Sequence, residues 1–444
     1  MTTTTEKKVK LIVSLREIWP VAAAAFVVAL AAQLIGAYTF DLGPAAIVVF
    51  PMVWGLLIGA GISFQRVKRV SLDFQRIANA FVGVSVLFLV ARLAFIIGPN
   101  IPALLQAGPA LLLQELGHLF GTIGLALPLA VLLRMGKATI GATFSVDREP
   151  ALAIVSEKYG PDSDQYRGVL AMYVFGTLFG AIYITLLTSL VASAKFFDPL
   201  ALAMGAGVGS GSMMAASTGS IIGAYPGQEE SILAMAAVSN LITEVLGIYV
   251  GIYVALPLAD RFYKFLTRRQ KVAVAAASIP DTDEEANRVF REQVNASAAP
   301  VYVRPWVSMP ILAGVGVGTA SIFAGGISWS IVGGYAIFIA LLLLSQFLAM
   351  VSRKISAIVW VTTLGALMSS PFSPIADPVV TLVTSVDFLS IACVTLTFAG
   401  LSLGKDLALL KTVGWKIIPV GAVAITASFL LATVIAEFSL GFWS

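Results

Sequence analysis

Four places in this chain set ionisable groups within apolar segments, where each costs roughly 2.5–3.5 kcal/mol on insertion scales and so tends to mark a site. The first is Asp147-Arg148-Glu149-Pro150. Pro150 lacks a backbone donor and steers Glu149 away from helix, so a helix should break here and restart near Pro150. Arg148 has the planar fork to hold a carboxylate bidentately, Ser145 adds a hydroxyl, and Asp147 or Glu149 has the charge to carry a coupling H⁺ or Na⁺. The plainer reading is a cytoplasmic loop before an ordinary helix start. The second place is Glu244, which shares one helical face with Asn240 and Thr243; this is either a cation or substrate wall or polar glue between helices. The third is Gln114, Glu115 and His118 on one turn. Glu115 and His118 have the spacing of a proton relay, unless the segment lies along the membrane surface and they are solvated. The fourth is Arg92, whose expected partner is a carboxylate such as Glu115.

The stretch Ala203–Gly223 has a different chemistry, with six glycines and five hydroxyl side chains in an apolar context. Lipid cannot satisfy bare backbone groups, so such a segment suits a place where the chain unwinds against protein or water. Opened backbone around Gly205, Gly207, Gly209 and Gly211 exposes N–H groups, and Ser210, Ser212, Ser217 and Thr218 add short hydroxyls. A helix starting near Met213 would point its positive end into the gap, as in the interrupted helices with which transporters hold small anions. The competing reading is close helix packing through small residues. A dinucleotide fingerprint does not fit: the glycines alternate and no strand precedes them.

These groups need a membrane scaffold. The 444 residues are 58% hydrophobic and 12% charged, with mean hydropathy +0.93, against about 25% charged residues in a soluble domain. The expected fold is all-α, a polytopic membrane protein of about 11 to 13 spans. The net charge of +4 reflects basic loops and gives no patch for nucleic acid. A single cysteine, Cys393, excludes an intrachain disulfide, and a single histidine excludes bis-His haem and HExxH zinc sites. No cofactor is implied beyond a coupling ion.

Residues 1–17 are basic and expected inside. Lys7 to Lys10 before an apolar run could pass for a signal peptide, but the run continues through Phe40 and reads as a span. Residues 18–137 form a first membrane repeat, with spans Trp19–Phe40, Pro44–Ile62 and Ala78–Gly98, then a crossing with a surface helix or a break around Gly108–Gly121. Residues 138–259 form a core with two interrupted segments, Ile140–Tyr159 and Ala203–Gly223. Both cross or both re-enter; each is long enough to reach across, which favours crossing. Residues 260–305 read as a cytoplasmic linker, and 306–444 as a degenerate second repeat. There Trp306–Gly325 and Trp329–Val351 match the first two spans, Ile355–Ser370 matches the third, and Gly400-Leu401-Ser402-Leu403 matches Gly124-Leu125-Ala126-Leu127. A last span, Trp415–Phe438, leaves the C-terminus outside.

Within Gly141–Leu258, the run from Ser145 to Glu157 resembles the S-V-T-T-P-I-A-M-x-x-S-E signature of the LrgB/CidB family, with one extra residue before the proline. Gly205–Ser217, Glu229-Glu230 and Leu233-Ala234-Met235-Ala236 are similar to that family's G-x-A-x-H-x-x-G-T-A, E-E and S-L-A-M blocks, in the same order. Here the Thr pair becomes Arg148-Glu149, the family's His is replaced, and a second half is added. The form with D-R-E-P and G-S-G-S-M-M-A-A resembles most closely a bacterial inner-membrane family of unknown function, DUF3100. Plant LrgB relatives move glycolate and glycerate; bacterial ones are linked to pyruvate uptake and holin-like control of lysis. The resemblance implies a small-carboxylate transporter of broken-helix type.

The sequence therefore leads to an expected secondary transporter of a small organic anion (a carboxylate or amino-acid-like solute), coupled to H⁺ or Na⁺. It is expected as a homodimer in the bacterial inner membrane with its N-terminus inside, its two broken helices meeting near the midplane. The alternative is a holin-like pore or regulator of cell lysis. No nucleophile–base pair or metal-ligand cluster points to an enzyme.

Overall fold

Capping side chains and prolines set where the helices begin. The computed structural model describes residues 11–42, 45–67, 69–144, 149–160, 163–268, 301–352, 355–406 and 414–443. After a short strand β1 (Leu11–Ile12), α1 (Leu15–Ile35) starts where the Glu17 carboxylate accepts from the Ser14 N–H and hydroxyl at 2.9 and 2.7 Å. It ends at Gly36, whose φ of +75° a side chain would resist, so the expected span to Phe40 stops short. The expected second span, Pro44–Ile62, is not one helix. Strands β2 (Tyr38–Leu42) and β3 (Ala45–Val49) form an antiparallel hairpin with Thr39 opposite Val48, followed by the short helix α2 (Pro51–Phe64). The Val48 N–H donates to Ser189 Oγ at 2.8 Å, which ties the hairpin to a later helix.

Ser71 caps α3 (Leu72–Ile97). A single turn-and-a-half, α4 (Ile101–Gln106), leads into α5 (Gly108–Leu132), which runs unbroken apart from a π-turn at Thr122–Ala126. The surface helix or break expected around Gly108–Gly121 is therefore a spanning helix. Next come α6 (Ala138–Thr143), α7 (Glu149–Tyr159) and α8 (Asp164–Ser193), the last with a π-turn at Gly176–Gly180. Two half-helices follow, α9 (Pro199–Gly207) and α10 (Gly211–Ala224). Then α11 (Glu229–Val250) continues through a third π-turn, Gly251–Ala255, into α12 (Leu256–Thr267). Residues 269–300, most of the expected linker, lie outside the described residues.

The second part opens with β4 (Val301–Tyr302), which pairs in parallel with β1, Leu11 opposite Val301. Next to this pair α13 (Pro305–Phe323) packs beside α1. The chain ends with α14 (Trp329–Ser352), α15 (Ala357–Ser369), α16 (Ala376–Thr384), α17 (Phe388–Ser402) and α18 (Ile417–Trp443). The match of Trp329–Val351 to the second span does not hold in shape, since one is a 24-residue helix and the other a hairpin plus a 14-residue helix.

Among the described residues nine helices are long and apolar enough to cross a membrane, and α2 and α15 are shorter apolar ones. This is an all-α, multi-pass membrane protein. Its centre is α17, buried along almost its whole length among α1, α2, α3, α10 and α13. The α2–α17 contact is a near backbone-to-backbone approach: a Cβ on Gly59 would come within 2.9 Å of Leu401 N and Thr397 O. A second apolar cluster, around Phe144, Val155, Val169 and Leu256, is built by α5, α6, α7, α8 and α12.

Candidate functional site

The Gly/Ser stretch does break, and the break re-enters. Asp198 caps α9, its Oδ1 accepting from Leu200 N at 2.7 Å, with Pro199 at the first helical position. Helix stops at Gly207, and Ser210, in extended conformation, precedes a restart at Gly211, two residues before the expected Met213. At the far end of α10 the chain returns to where α9 began. Lys195 Nζ donates to Ala224 O and sits 3.8 Å from the Tyr225 ring centroid, and Tyr225 Oη donates to Phe197 O at 2.9 Å. Burial, with Asp198 and Glu437 nearby, pushes the Tyr225 phenol above its ordinary pKa, so it stays neutral and able to donate. Entry and exit share one side, so Ala203–Gly223 is part of a helical hairpin and the expected crossing is overturned.

The hairpin's turn is enclosed by protein on every side named here. Gly205 faces Thr433 and Phe429 of α18, and Gly207 faces Ser239 and Ala236 of α11, positions where a methyl group has no room. A Cβ on Gly211 would lie 3.0 Å from Val86 of α3, and one on Gly180, in the α8 π-turn, 3.1 Å from Met213 Sδ. Small residues therefore do serve close packing, as the competing reading held, and they do so around an opened backbone.

Helices α5 and α11 hold the turn with a polar network. Asn240 Nδ2 donates to both Gly207 O and Gly209 O at 2.8 Å, pairing the carbonyls that the break releases. Ser239 Oγ donates to Met204 O at 2.7 Å and accepts from Gln114 Nε2 at 3.0 Å. Gln114 also donates to Glu115 Oε1 at 3.0 Å, and Thr243 Oγ1 bonds the same oxygen. Glu115 is buried, so the solvated-surface reading of this turn is overturned. The sequence placed Asn240 and Thr243 in one group and Glu115 in another; the fold makes them one.

Other expected residues fall elsewhere. His118 Nδ1 lies 2.5 Å from Ser428 Oγ, which ties this turn of α5 to α18 as well. Ser217 Oγ turns back to Met213 O and Met214 O, at 3.0 and 3.1 Å, so its hydrogen is taken up within α10, and Thr218 is fully buried. Ser210 and Ser212 hydroxyls do sit there, 3.3 Å apart. Arg92 does not pair with Glu115: its Nε donates to Val386 O at 2.9 Å, just before the Asp387 cap of α17. Ser145, Asp147 and Arg148 lie outside the described residues; α7 begins at Glu149 with Pro150 next, as the proline predicts. Ile140, Phe144, Ala151 and Val155 of that segment belong to the second apolar cluster, whereas Ala142 lies in the main one with α9 and α10. The break itself, residues 145–148, lies outside the described residues, and with it the expected meeting of the two interrupted segments.

Beside the network lies a small crevice lined by residues of α3, α10, α11 and α15. Asn240, Glu244 and Thr362 are its polar lining, with Leu93, Ile97 and Met214 among its apolar walls. Thr362 was not foreseen; its only sequence signal was a hydroxyl in a short apolar helix.

Fold and site together define a multi-pass helical membrane protein with a re-entrant hairpin whose buried turn is held by polar side chains from two spanning helices. A sequence family described as "Protein of unknown function (DUF3100)" matches residues 30–265, more than half of the chain, and the protein belongs to that family. No curated protein and no solved structure matches the chain significantly. The resemblance of residues 141–258 to the LrgB/CidB family is not shown by these matches.

Proposed function

We propose that the protein is a secondary active transporter of a small organic anion, driven by a cation gradient across a bacterial inner membrane. The observation that carries this reading is the α9–α10 turn, where two half-helix ends of opposite polarity meet inside the protein. The C-terminus of α9 presents carbonyls and the N-terminus of α10 presents the amides of Gly211, Ser212 and Met213, with the Ser210 side chain making no cap bond. Such ends favour a cation and an anion respectively, and unwound backbone of this kind is tolerated at membrane depth where it lines a site. The anion sits at the α10 end, with Ser210 and Ser212 as hydroxyl donors, and Asn240, Thr243, Glu244 and Glu115 form the coupling side. By the positive-inside rule the basic residues Arg261, Lys264 and Arg268 put the α12 end in the cytoplasm. With α11 crossing once, the mouth of the hairpin then opens outside, and the N-terminus lies inside.

The test is uptake of labelled small carboxylates and amino acids by proteoliposomes holding the full-length protein, with imposed Na⁺ or H⁺ gradients. Saturable, gradient-dependent accumulation of at least one anion is expected. Release of an entrapped dye without saturation would replace this reading with the holin-like pore.

A further inference from the structure

We infer that the coupling ion is a proton and that Glu115 carries it, with the Thr243 hydroxyl as its partner in both charge states. The inference rests on the transport reading of this side of the hairpin turn. It adds the identity of the ion, the acid that takes it and the route by which the hairpin registers it.

Ser239 Oγ has one hydrogen and spends it on Met204 O, at 2.7 Å, so it shows Gln114 a lone pair. The Gln114 atom 3.0 Å from Ser239 Oγ is therefore the amide nitrogen, whose other hydrogen goes to Glu115 Oε1 at 3.0 Å. Thr243 Oγ1 bonds that same carboxyl oxygen and also lies 2.9 Å from Ser239 O, one turn back on α11. A hydroxyl has one hydrogen and two lone pairs, and these two neighbours let it serve either form of the acid. Beside an ionised Glu115 it turns its hydrogen to the carboxylate. Beside a protonated Glu115 it accepts the acid's hydrogen and turns its own to Ser239 O. Neither form breaks the contact, which is what a group that gains and loses a proton needs and a fixed N–H donor cannot offer.

The groups turned to Glu115 Oε1 also select the ion. They include an amide N–H and a hydroxyl, hydrogen donors where a metal cation asks for oxygen lone pairs. A Na⁺ at that oxygen would meet the amide's positive hydrogen, whereas a proton adds to the oxygen and meets the hydroxyl's lone pair. Glu115 is buried in a spanning helix, where an ionised carboxylate is costly and a proton relieves the cost. Of the elements packed against α5, α4 and α9 carry no titratable side chain. Helix α11 carries Glu229 and Glu230 at its exposed start, Glu244 next to Thr243, and Tyr249 further on. Helix α18 carries Glu437, whose Oε2 accepts from Asp198 N at 2.8 Å, and His118 of α5 itself bonds Ser428. A change of charge on Glu115 passes through Gln114 and Ser239 to Met204 O, so the half-helix that ends at the opened turn registers the proton.

Infrared difference spectra of the purified full-length protein between alkaline and acid buffer test this without any cargo. Wild type should show a carbonyl component of a hydrogen-bonded carboxylic acid that is lost in Glu115→Gln and kept in Glu244→Gln. Thr243→Val removes the acceptor of the acid's hydrogen and should shift that component to higher frequency, with Thr243→Ser at the wild-type position. The Thr243 pair carries the test if Glu115→Gln is not monodisperse. No component lost in Glu115→Gln, or one unmoved by Thr243→Val, overturns the assignment. Flux distinguishes the two readings: anion uptake driven by a Na⁺ gradient alone, indifferent to pH, overturns proton coupling and leaves transport standing. The infrared component lost in Glu115→Gln, in a protein with no saturable flux, leaves Glu115 as the proton carrier and removes transport.

Discussion

Asn240 links two levels of the structure, because one side chain pairs two carbonyls that a broken helix would otherwise leave bare. Asn240→Leu keeps the volume and removes both donors. Gly207 is buried, so its carbonyl loses this partner without gaining water, at about 1–3 kcal/mol, and the half-buried Gly209 adds a smaller cost. A clearly lower thermal midpoint for the detergent-purified variant is expected; an unchanged midpoint would mean that the turn finds other partners. Thr243→Val should be milder and should also change the coupling side, since it removes the hydroxyl on Glu115 Oε1 while preserving shape. Its expected signature is a shifted dependence of uptake on the driving gradient, with Thr243→Ser close to wild type. That Asn240, Thr243 and Glu244 share one helical face was legible in the sequence, but the grouping of Asn240 and Thr243 with Glu115 was not. Ser239 and Gln114 are 125 positions apart and Arg92 reaches Val386 across 294, separations that no helical periodicity encodes. The solvated reading of Glu115 supposed that its segment, with Leu112, Leu113 and Leu116, lies along the membrane surface. Those leucines turn out to be the exposed side of a span, and Glu115 its inward side.

At the scale of elements, glycine content located the break within two residues, because glycines this dense weaken a helix where they fall. The direction of the second limb was a different matter. Length alone allowed a crossing, and what decides for re-entry is a cluster at the mouth, Lys195 on Ala224 and Tyr225 on Phe197. Cysteines placed singly at Phe196 and Gln228, both exposed, should therefore react with a membrane-impermeant maleimide from the same side, opposite to a cysteine at Arg268. The native Cys393 is buried and should stay silent. Labelling of the first two from opposite sides would restore the crossing topology. The β2–β3 hairpin leaves a trace in the sequence, the apolar–polar alternation of Tyr38-Thr39-Phe40-Asp41-Leu42. The second interrupted segment is held by a tighter contact than any at the first: Gly141 lies against Gln165 O and Gly168 against Ala138 O. Gly168→Ala should cost about 1–3 kcal/mol by overpacking, because the obstruction is backbone and cannot rotate away. A melt of that variant matching wild type would show that α6 and α8 separate freely.

For the whole molecule, composition alone marked a membrane protein, and the weak internal similarity suggested two halves joined by a linker. The packing gives that linker a different meaning. The most buried helix of the second part, α17, lies among α1, α2, α3 and α10 of the first, and α18 packs along α5 and α9. Neither part can bury its own apolar surface without the other, so they form one folding unit despite the break in sequence character at residues 260–305. The parallel pairing of Leu11–Ile12 with Val301–Tyr302 brings both lead-in strands to the same place, which fixes how the parts register. Residues 1–268 and 301–444 made as separate chains in one cell should then associate and copurify in equal amounts. Either chain made alone should be degraded or aggregate, since α17 would meet lipid with the glycine-notched face that α2 is shaped to receive. Stable accumulation of each part alone would mean that the α2–α17 contact is a docking interface between finished domains. In that case the hairpin turn, built by α5, α11 and α18 together, would have to assemble only after the parts had met.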